Sequence, residues 1–237
     1  MRFFLLMLAS AIPAYVLGSV NGAIITAHAL YRKDIREYGS GNPGLTNFYR
    51  VFGKGGALLV VLIDVFKTIA PVIFGGWLFA RFSDIMLSSV WWFDGLFQVS
   101  LFGQALSGLF VVLGHCFPVF YRFKGGKGVM ATGAILIVLD WRLALISWGL
   151  FIVITALTRY VSLGAMVAGA AFPVSMFLIG IGGNLELLAT ALSAALLIAR
   201  HEGNIRRLIK GEESKFAFKR KQESRGGIPR SIKEPPP

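Results

Sequence analysis

Apolar residues run in long blocks along this chain, and polar residues collect in the gaps between them. The block at 56–80 carries only two charged side chains, Asp64 and Lys67. A bilayer core about 30 Å thick needs roughly twenty helical residues to cross it, and blocks of this length match that requirement. Seven blocks read as helices on this pattern: 4–23, 56–80, 97–114, 129–139, 144–157, 163–181 and 185–199. The pattern predicts an all-α integral membrane protein.

The fourth and fifth blocks are interrupted only by Asp140, Trp141 and Arg142, so they could also be one tilted helix. The distribution of lysine and arginine arbitrates, because cytoplasmic loops carry an excess of them. With seven spans, Arg32, Lys33, Arg36, Arg50, Lys54, Arg122, Lys124, Lys127, Arg159 and every basic residue from Arg200 onward share one side. Only Arg2, Arg81 and Arg142 then face the other. With six spans, Arg159 and the basic tail would change sides. Seven transmembrane helices are therefore predicted, with the N-terminus outside and the C-terminus cytoplasmic. The apolar run after Arg2 has a poor small-residue cleavage pattern, so it reads as an uncleaved first span.

The block at 129–139 would cover only about 16 Å, half of the hydrocarbon thickness. Its helix should begin below the membrane surface, and irregular backbone at that depth is tolerated where it lines a cavity. The preceding "RFKGGKGV" is thus expected to line a wet pocket open to the cytoplasm. The residues divide into a seven-span domain at 1–213 and a basic, glycine- and proline-rich tail at 214–237. That tail reads as disordered and attracted to anionic headgroups.

Composition narrows the chemistry. The chain is 55% hydrophobic yet carries a formal charge of +12, which points to membrane lipids and anionic ligands, with no nucleic-acid partner expected. A single cysteine, Cys116, excludes a disulfide framework and a thiolate metal cluster. Carboxylates are scarce beside the glycine-rich segments, which argues against a metal site and a paired-carboxylate hydrolase. No G-x-S-x-G occurs, and no cofactor is expected.

Three polar segments carry the candidate groups. In "YRKDIREYGSGNPGLTNFYRVFGK", Gly39, Gly41 and Gly44 with Ser40, Asn42, Pro43 and Asn47 form a turn cluster. Ser40 and Asn47 offer neutral hydrogen-bonding groups there, and Arg50 an anion clamp. The second segment sets Lys124, Gly125, Gly126, Lys127 and Gly128 at a helix start, after His115 and Pro118. Free backbone N–H groups at such a start bind anions. It is not a nucleotide P-loop, because Gly128 follows Lys127 where serine or threonine would stand. In the third, "RHEGNIRRLIKGEE", His201 and Asn204 share a helix face, with Arg200 and Arg207 in reach. "RYVSL" at 159–163 adds an arginine and the Ser162 hydroxyl. Each segment read alone could be a polar loop that sets topology. Asp64 and Lys67, three residues apart, can neutralise each other as structural support, and His28 reads as a packed or interfacial histidine. So many cations around glycines suit two anionic groups, suggesting transfer between a lipid-soluble phosphate and a water-soluble one.

In this order the segments resemble the three motifs of the PlsY family, the bacterial acyl-phosphate:glycerol-3-phosphate acyltransferases. The motifs stand here as "GSGNPGLTNFYR" with "DVFK", "GHCFPVFYRFKGGKGV" and "RHEGNIRRLIKGEE", and the likeness runs from Gly18 to about Glu213. Leu45, Met130, Gly164 and Glu202 depart from the usual pattern without touching the presumed ligand groups. The resemblance implies a seven-span fold with the active site in cytoplasmic-side loops, in the bacterial inner membrane, as a monomer. It implies movement of a fatty acyl group from acyl phosphate to the 1-hydroxyl of glycerol 3-phosphate, giving lysophosphatidic acid and phosphate. This is the first step of bacterial phospholipid synthesis. Ser40, Arg50, Lys124, Ser162, His201 and Asn204 would hold glycerol 3-phosphate, with Ser40, His201 and Asn204 as the catalytic set. Gly125, Gly126, Lys127 and Gly128 would cradle the acyl phosphate, whose chain lies between helices. Asn42, Asn47, Asp64, Lys67, His115 and Arg207 would support the pocket. A substrate phosphate would accept the proton, with His201 as the rival base. The rival function is a multi-span transporter of an organic phosphate, although no internal repeat is visible. Acyl-CoA-dependent enzymes with His-x4-Asp are a poor match, since Lys33, Phe120 and Arg206 hold the fifth position after the three histidines.

Overall fold

The computed structural model describes residues 1–82 and 95–216. They form helices joined by loops, with no strand among the described residues. The helices are α1 (Arg2–Gly18), α2 (Gly22–Tyr31), α3 (Leu45–Phe52), α4 (Ala57–Phe82) and α5 (Gly95–Cys116). They continue as α6 (Val129–Leu139), α7 (Trp141–Thr158), α8 (Val161–Ile179), α9 (Asn184–Ala199) and α10 (Glu202–Ile209). Single 3-10 turns stand at Ile35–Glu37 and Val119–Tyr121.

Five apolar helical stretches are long enough to cross a membrane: Arg2–Tyr31, Ala57–Phe82, Val99–Tyr121, Trp141–Thr158 and Val161–Ile179. Two shorter ones, Val129–Leu139 and Asn184–Ala199, complete seven apolar segments among the described residues. Phe66, Trp77, Leu157, Phe177 and Leu178 are exposed on the bundle exterior. Such a surface suits lipid and not water.

The first segment differs from the expected single helix at 4–23. It runs on to Tyr31 and is broken after Gly18. The reason is Asn21, whose side chain accepts from Ile24 N at 2.9 Å and caps α2. The cap frees the Val20 carbonyl, which accepts from the Lys67 ammonium. At 140 the chain also breaks, so α6 and α7 are two helices. The Asp140 carboxylate accepts from Arg142 N at 2.8 Å, starting α7 three residues before the apolar block, and pairs with the Arg142 guanidinium at 2.8 Å.

The α5 helix occupies the centre, packed against α1, α4, α6 and α9. Apolar burial adds little between helices in lipid, so close backbones and interhelical hydrogen bonds must hold them. A Cβ on Gly103 would lie 2.3 Å from the Gly75 carbonyl, and Ser10 and Ser107 hydroxyls meet at 2.6 Å. Leu101, Ile135, Leu143, Phe172 and Met176 fill the main core. A separate cluster of Ala23, Ala27, Ile35, Phe48 and Val60 pins the loop between α2 and α4 onto those helices. That cluster fixes one wall of the site.

Candidate active site

The loops after α2, α5, α7 and α9 converge at one end of the bundle. A cavity of about 950 Å³ opens there, and Ser40, Asn42, Lys124, Gly125, Lys127, Asn204 and Arg207 all line it. These residues come from all three polar segments. Asn47, Ser162 and His201 are buried nearby, and the exposed Arg50 is close enough to act on the Lys127 ammonium.

In the first loop Asn47 shapes the backbone. Its Oδ1 accepts from Ser40 N at 2.9 Å and its Nδ2 donates to the Tyr38 carbonyl at 3.0 Å. Gly39 is left-handed, with φ 62°, and a Cβ there would fall 2.3 Å from Asn47 Oδ1. Asn47 thus presents Ser40 to the cavity from the first turn of α3. Asn21 Nδ2 donates to the Pro43 carbonyl at 3.1 Å, tying this loop to the helix break.

The glycine loop is reversed by two successive left-handed residues, Arg122 and Phe123. Gly126 N donates to the His115 carbonyl at 3.0 Å. A Cβ on Gly125 would sit 2.2 Å from that carbonyl, and one on Gly126 2.3 Å from His115 Nε2. A side chain at either position would force a shift, because the loop lies directly on the end of α5. From the opposite side the Arg200 guanidinium donates to the Gly125 carbonyl at 3.0 Å and the Gly126 carbonyl at 3.2 Å, while packing over the Phe117 ring. With its carbonyls held by Arg200, the loop leads into α6, whose start has no side-chain cap and whose N-cap Gly128 has φ 82°. Uncapped helix amides of this kind favour an anion.

Lys127 reaches across the cavity and donates to Asn204 Oδ1. Asn204 Nδ2 donates to Glu213 Oε1 at 2.6 Å, which also accepts from Ser162 Oγ at 2.6 Å. Arg207 Nε donates to Glu213 Oε2 at 2.8 Å. Burial pushes the Glu213 carboxyl up, but these three donors more than offset it and leave it below the usual glutamate range. Burial lowers the Lys127 ammonium to about 8. Glu213 resists that shift, and Arg207, Arg200 and Arg50 add to it. Burial likewise lowers His201 to about 4, against the hydrogen bond at Leu197, with Lys127 lowering it further. His201 is therefore neutral near pH 7. Its Nδ1 is 2.8 Å from the Leu197 carbonyl, an acceptor, so Nδ1 carries the hydrogen.

Behind the glycine loop, Asp64 and Lys67 form a buried pair at 2.9 Å, and Lys67 Nζ lies 2.9 Å from His115 Nδ1. Two groups were absent from the sequence-derived set. By sequence Glu213 is only the end of a motif, and Arg200 only a nearby cation. Arg200 finds its partners in the glycine loop, 74 and 75 residues away, and Glu213 joins nearby Asn204 and Arg207 to Ser162, 51 residues away.

An all-helical membrane bundle with one cationic, glycine-lined cavity at its looped end defines a membrane protein that handles anionic ligands. The family model described as glycerol-3-phosphate acyltransferase matches residues 8–211. The glycerol-3-phosphate acyltransferase of Ralstonia pickettii is 39% identical over 89% of this chain and 94% of its own. That of Francisella tularensis subsp. novicida is 35% identical over 89% and 93%. Among solved structures, PlsY, an integral membrane glycerol 3-phosphate acyltransferase, aligns in its glycerol 3-phosphate form with a TM-score of 0.73. That alignment is 33% identical and covers 89% of this chain and 96% of that one. Its lysophosphatidic acid form aligns with a TM-score of 0.71 at 31% identity, covering 89% and 95%. The chain belongs to the glycerol-3-phosphate acyltransferase family. It is accordingly a membrane acyltransferase of lipid biosynthesis.

Proposed function

We propose that this protein moves a fatty acyl group from acyl phosphate to the 1-hydroxyl of glycerol 3-phosphate. The hydroxyl oxygen bonds to the acyl carbon, the carbon–oxygen bond to phosphate breaks, and the hydroxyl proton passes to a phosphate oxygen. Lysophosphatidic acid and inorganic phosphate result. The observation that carries this reading is that the residues on either side of Gly128, at the start of α6, line two different cavities. Lys127 lines the polar cavity, while Val129 and Met130 line an apolar one of about 420 Å³ between α4, α6, α7, α8 and α9. An anhydride head at Lys127 and Gly125–Gly126 with its chain among the helices beyond Gly128 fits that arrangement.

Ser40, Lys124 and Asn204, which line the cavity, hold glycerol 3-phosphate together with Arg50, Ser162 and His201 in this reading. Phosphate leaves readily from a mixed anhydride, so alignment and charge stabilisation supply most of the acceleration. A histidine lowered to about 4 is a weak base, which favours a substrate phosphate over His201 as proton acceptor. The topology that fits is seven spans in a bacterial inner membrane, N-terminus outside, cavity toward the cytoplasm, in a monomer. The start of the basic tail, expected to be disordered, instead packs on the bundle, Phe216 N donating to the Arg159 carbonyl at 2.7 Å and Lys215 lying over the Tyr160 ring. Residues from 217 lie outside the described ones.

The test is reconstitution in liposomes with palmitoyl phosphate and labelled glycerol 3-phosphate, with palmitoyl-CoA as control donor. Lysophosphatidic acid should form with the phosphate donor alone. Product from palmitoyl-CoA alone would refute the donor, and counterflow of glycerol 3-phosphate without lipid product would favour the transporter, which family membership does not.

A further inference from the structure

Lys67 lies inside the bundle on α4 with its side chain 3% exposed. An ammonium has three N–H groups and accepts nothing. Here each hydrogen has one acceptor: the Val20 carbonyl at the α1–α2 break, Asp64 Oδ1 at 2.9 Å and His115 Nδ1 at 2.9 Å. Asp64 Oδ1 also accepts from Gly22 N at 3.1 Å, so the pair closes the helix break from both sides. A group that only donates faces His115 Nδ1. That nitrogen must keep its lone pair, and the ring hydrogen sits on Nε2. Nε2 is the ring atom against the glycine loop, at the place a Gly126 side chain would fill. The His115 carbonyl holds Gly126 N as well. His115 thus supports the loop with backbone and ring together, and Lys67 sets the state of the ring from behind.

His201 provides an internal contrast. Its Nδ1 faces a carbonyl, so it carries hydrogen on Nδ1 and a lone pair on Nε2. His115 and His201 are thus held in opposite tautomers.

We infer that Lys67 is a positioning residue for acyl transfer, locking His115 in its Nε2–H tautomer and so fixing the Gly125–Gly126–Lys127 loop for an anionic phosphate. This deepens, and rests on, the acyl-phosphate reading above. In the other tautomer an Nε2 lone pair would face the loop and repel the anion it receives. Charge alone does not explain the arrangement, because the Lys67 charge is already balanced by Asp64.

The test uses the full chain in lipid nanodiscs, labelled with nitrogen-15 at its three histidines. His115→Asn, which keeps an acceptor near the Nδ1 position and removes Nε2–H, identifies the His115 signals by their loss. The expected spectrum has a bare Nδ1 and a protonated Nε2 at His115, and the reverse at His201. Removing Lys67 alone would strand a buried carboxylate, so the paired variant Asp64→Asn/Lys67→Gln keeps the site neutral. That variant should lose the fixed His115 tautomer and lower kcat with palmitoyl phosphate by about tenfold or more, with the KM for glycerol 3-phosphate within about twofold. A protonated Nδ1 at His115 in the unaltered protein, or full turnover in the paired variant, would overturn the inference. The spectrum needs no turnover. Protein inert toward palmitoyl phosphate but showing the expected tautomer would fail the donor assignment and uphold the lock.

Discussion

Lys127 and Asn204 stand 77 residues apart in the chain, yet the lysine ammonium donates directly to the asparagine Oδ1 across the cavity. The contact joins the glycine loop to the helix after the last apolar segment, and Glu213 fixes it by accepting from Asn204 Nδ2. One carboxylate thereby determines which way Asn204 points.

The first prediction follows from that contact. Lys127→Ala should lower kcat/KM by roughly 100-fold, about 3 kcal/mol of transition-state stabilisation, in line with loss of one oxyanion donor. Asn204→Ala should also be impaired, and the double variant should lose less than the sum of the two, because they act as one unit. Steady-state kinetics on the four proteins checks this, and simple additivity would contradict it.

A second concerns pH. The Lys127 pKa is lowered, so its charge is lost as pH rises through about 8 and not at the higher pH of an ordinary lysine. Activity that needs the ammonium should therefore be full below that value and fall above it. Lys127→Arg should abolish this alkaline decline, because arginine stays charged. Glu213→Gln should move the decline to lower pH, since Glu213 helps keep Lys127 charged. His201, neutral above about 4, should leave the acid side of the profile unchanged when replaced by glutamine.

The glycine loop allows a third. Gly125→Ala and Gly126→Ala place a Cβ within 2.2 Å and 2.3 Å of His115 atoms, so the loop must shift and activity should fall at least about tenfold. Gly149, inside α7 with nothing within 4 Å of an added Cβ, is the control. There alanine should be neutral or stabilise by about 0.5–1 kcal/mol. Activity and thermal unfolding of the three variants separate a local clash from a general effect.

The buried pair yields a fourth. Asp64→Ala leaves Lys67 without its counter-ion at a site where both side chains are nearly inaccessible. Destabilisation of about 3–5 kcal/mol is expected, read as a lowered unfolding midpoint in detergent micelles. Asp64→Asn/Lys67→Gln should recover much of it.

These features differ in how far the sequence declares them. The short helix at Val129–Leu139 was readable to the residue, because glycine before it and Asp140 after it mark both ends. The break after Gly18 is invisible to a hydropathy window, which averages over one polar residue, although Asn21–Gly22 is a good cap. Ser40, Lys127 and Asn204 were recognisable as candidates from motifs, and the cavity brings all three together. Arg50, Ser162 and His201 are recognisable in the same way; Ser162 and His201 are buried and Arg50 is exposed. Arg200 acts on the glycine loop and Glu213 ties α10 to Ser162 at the start of α8, and no local pattern encodes those two long-range contacts.

The most direct measurement follows the phosphorus. Palmitoyl phosphate labelled with phosphorus-32 is supplied to the reconstituted protein with unlabelled glycerol 3-phosphate. Release of labelled inorganic phosphate in one-to-one step with unlabelled lysophosphatidic acid is the predicted result. Lipid formation without labelled phosphate, or phosphate release without lipid, would contradict the account.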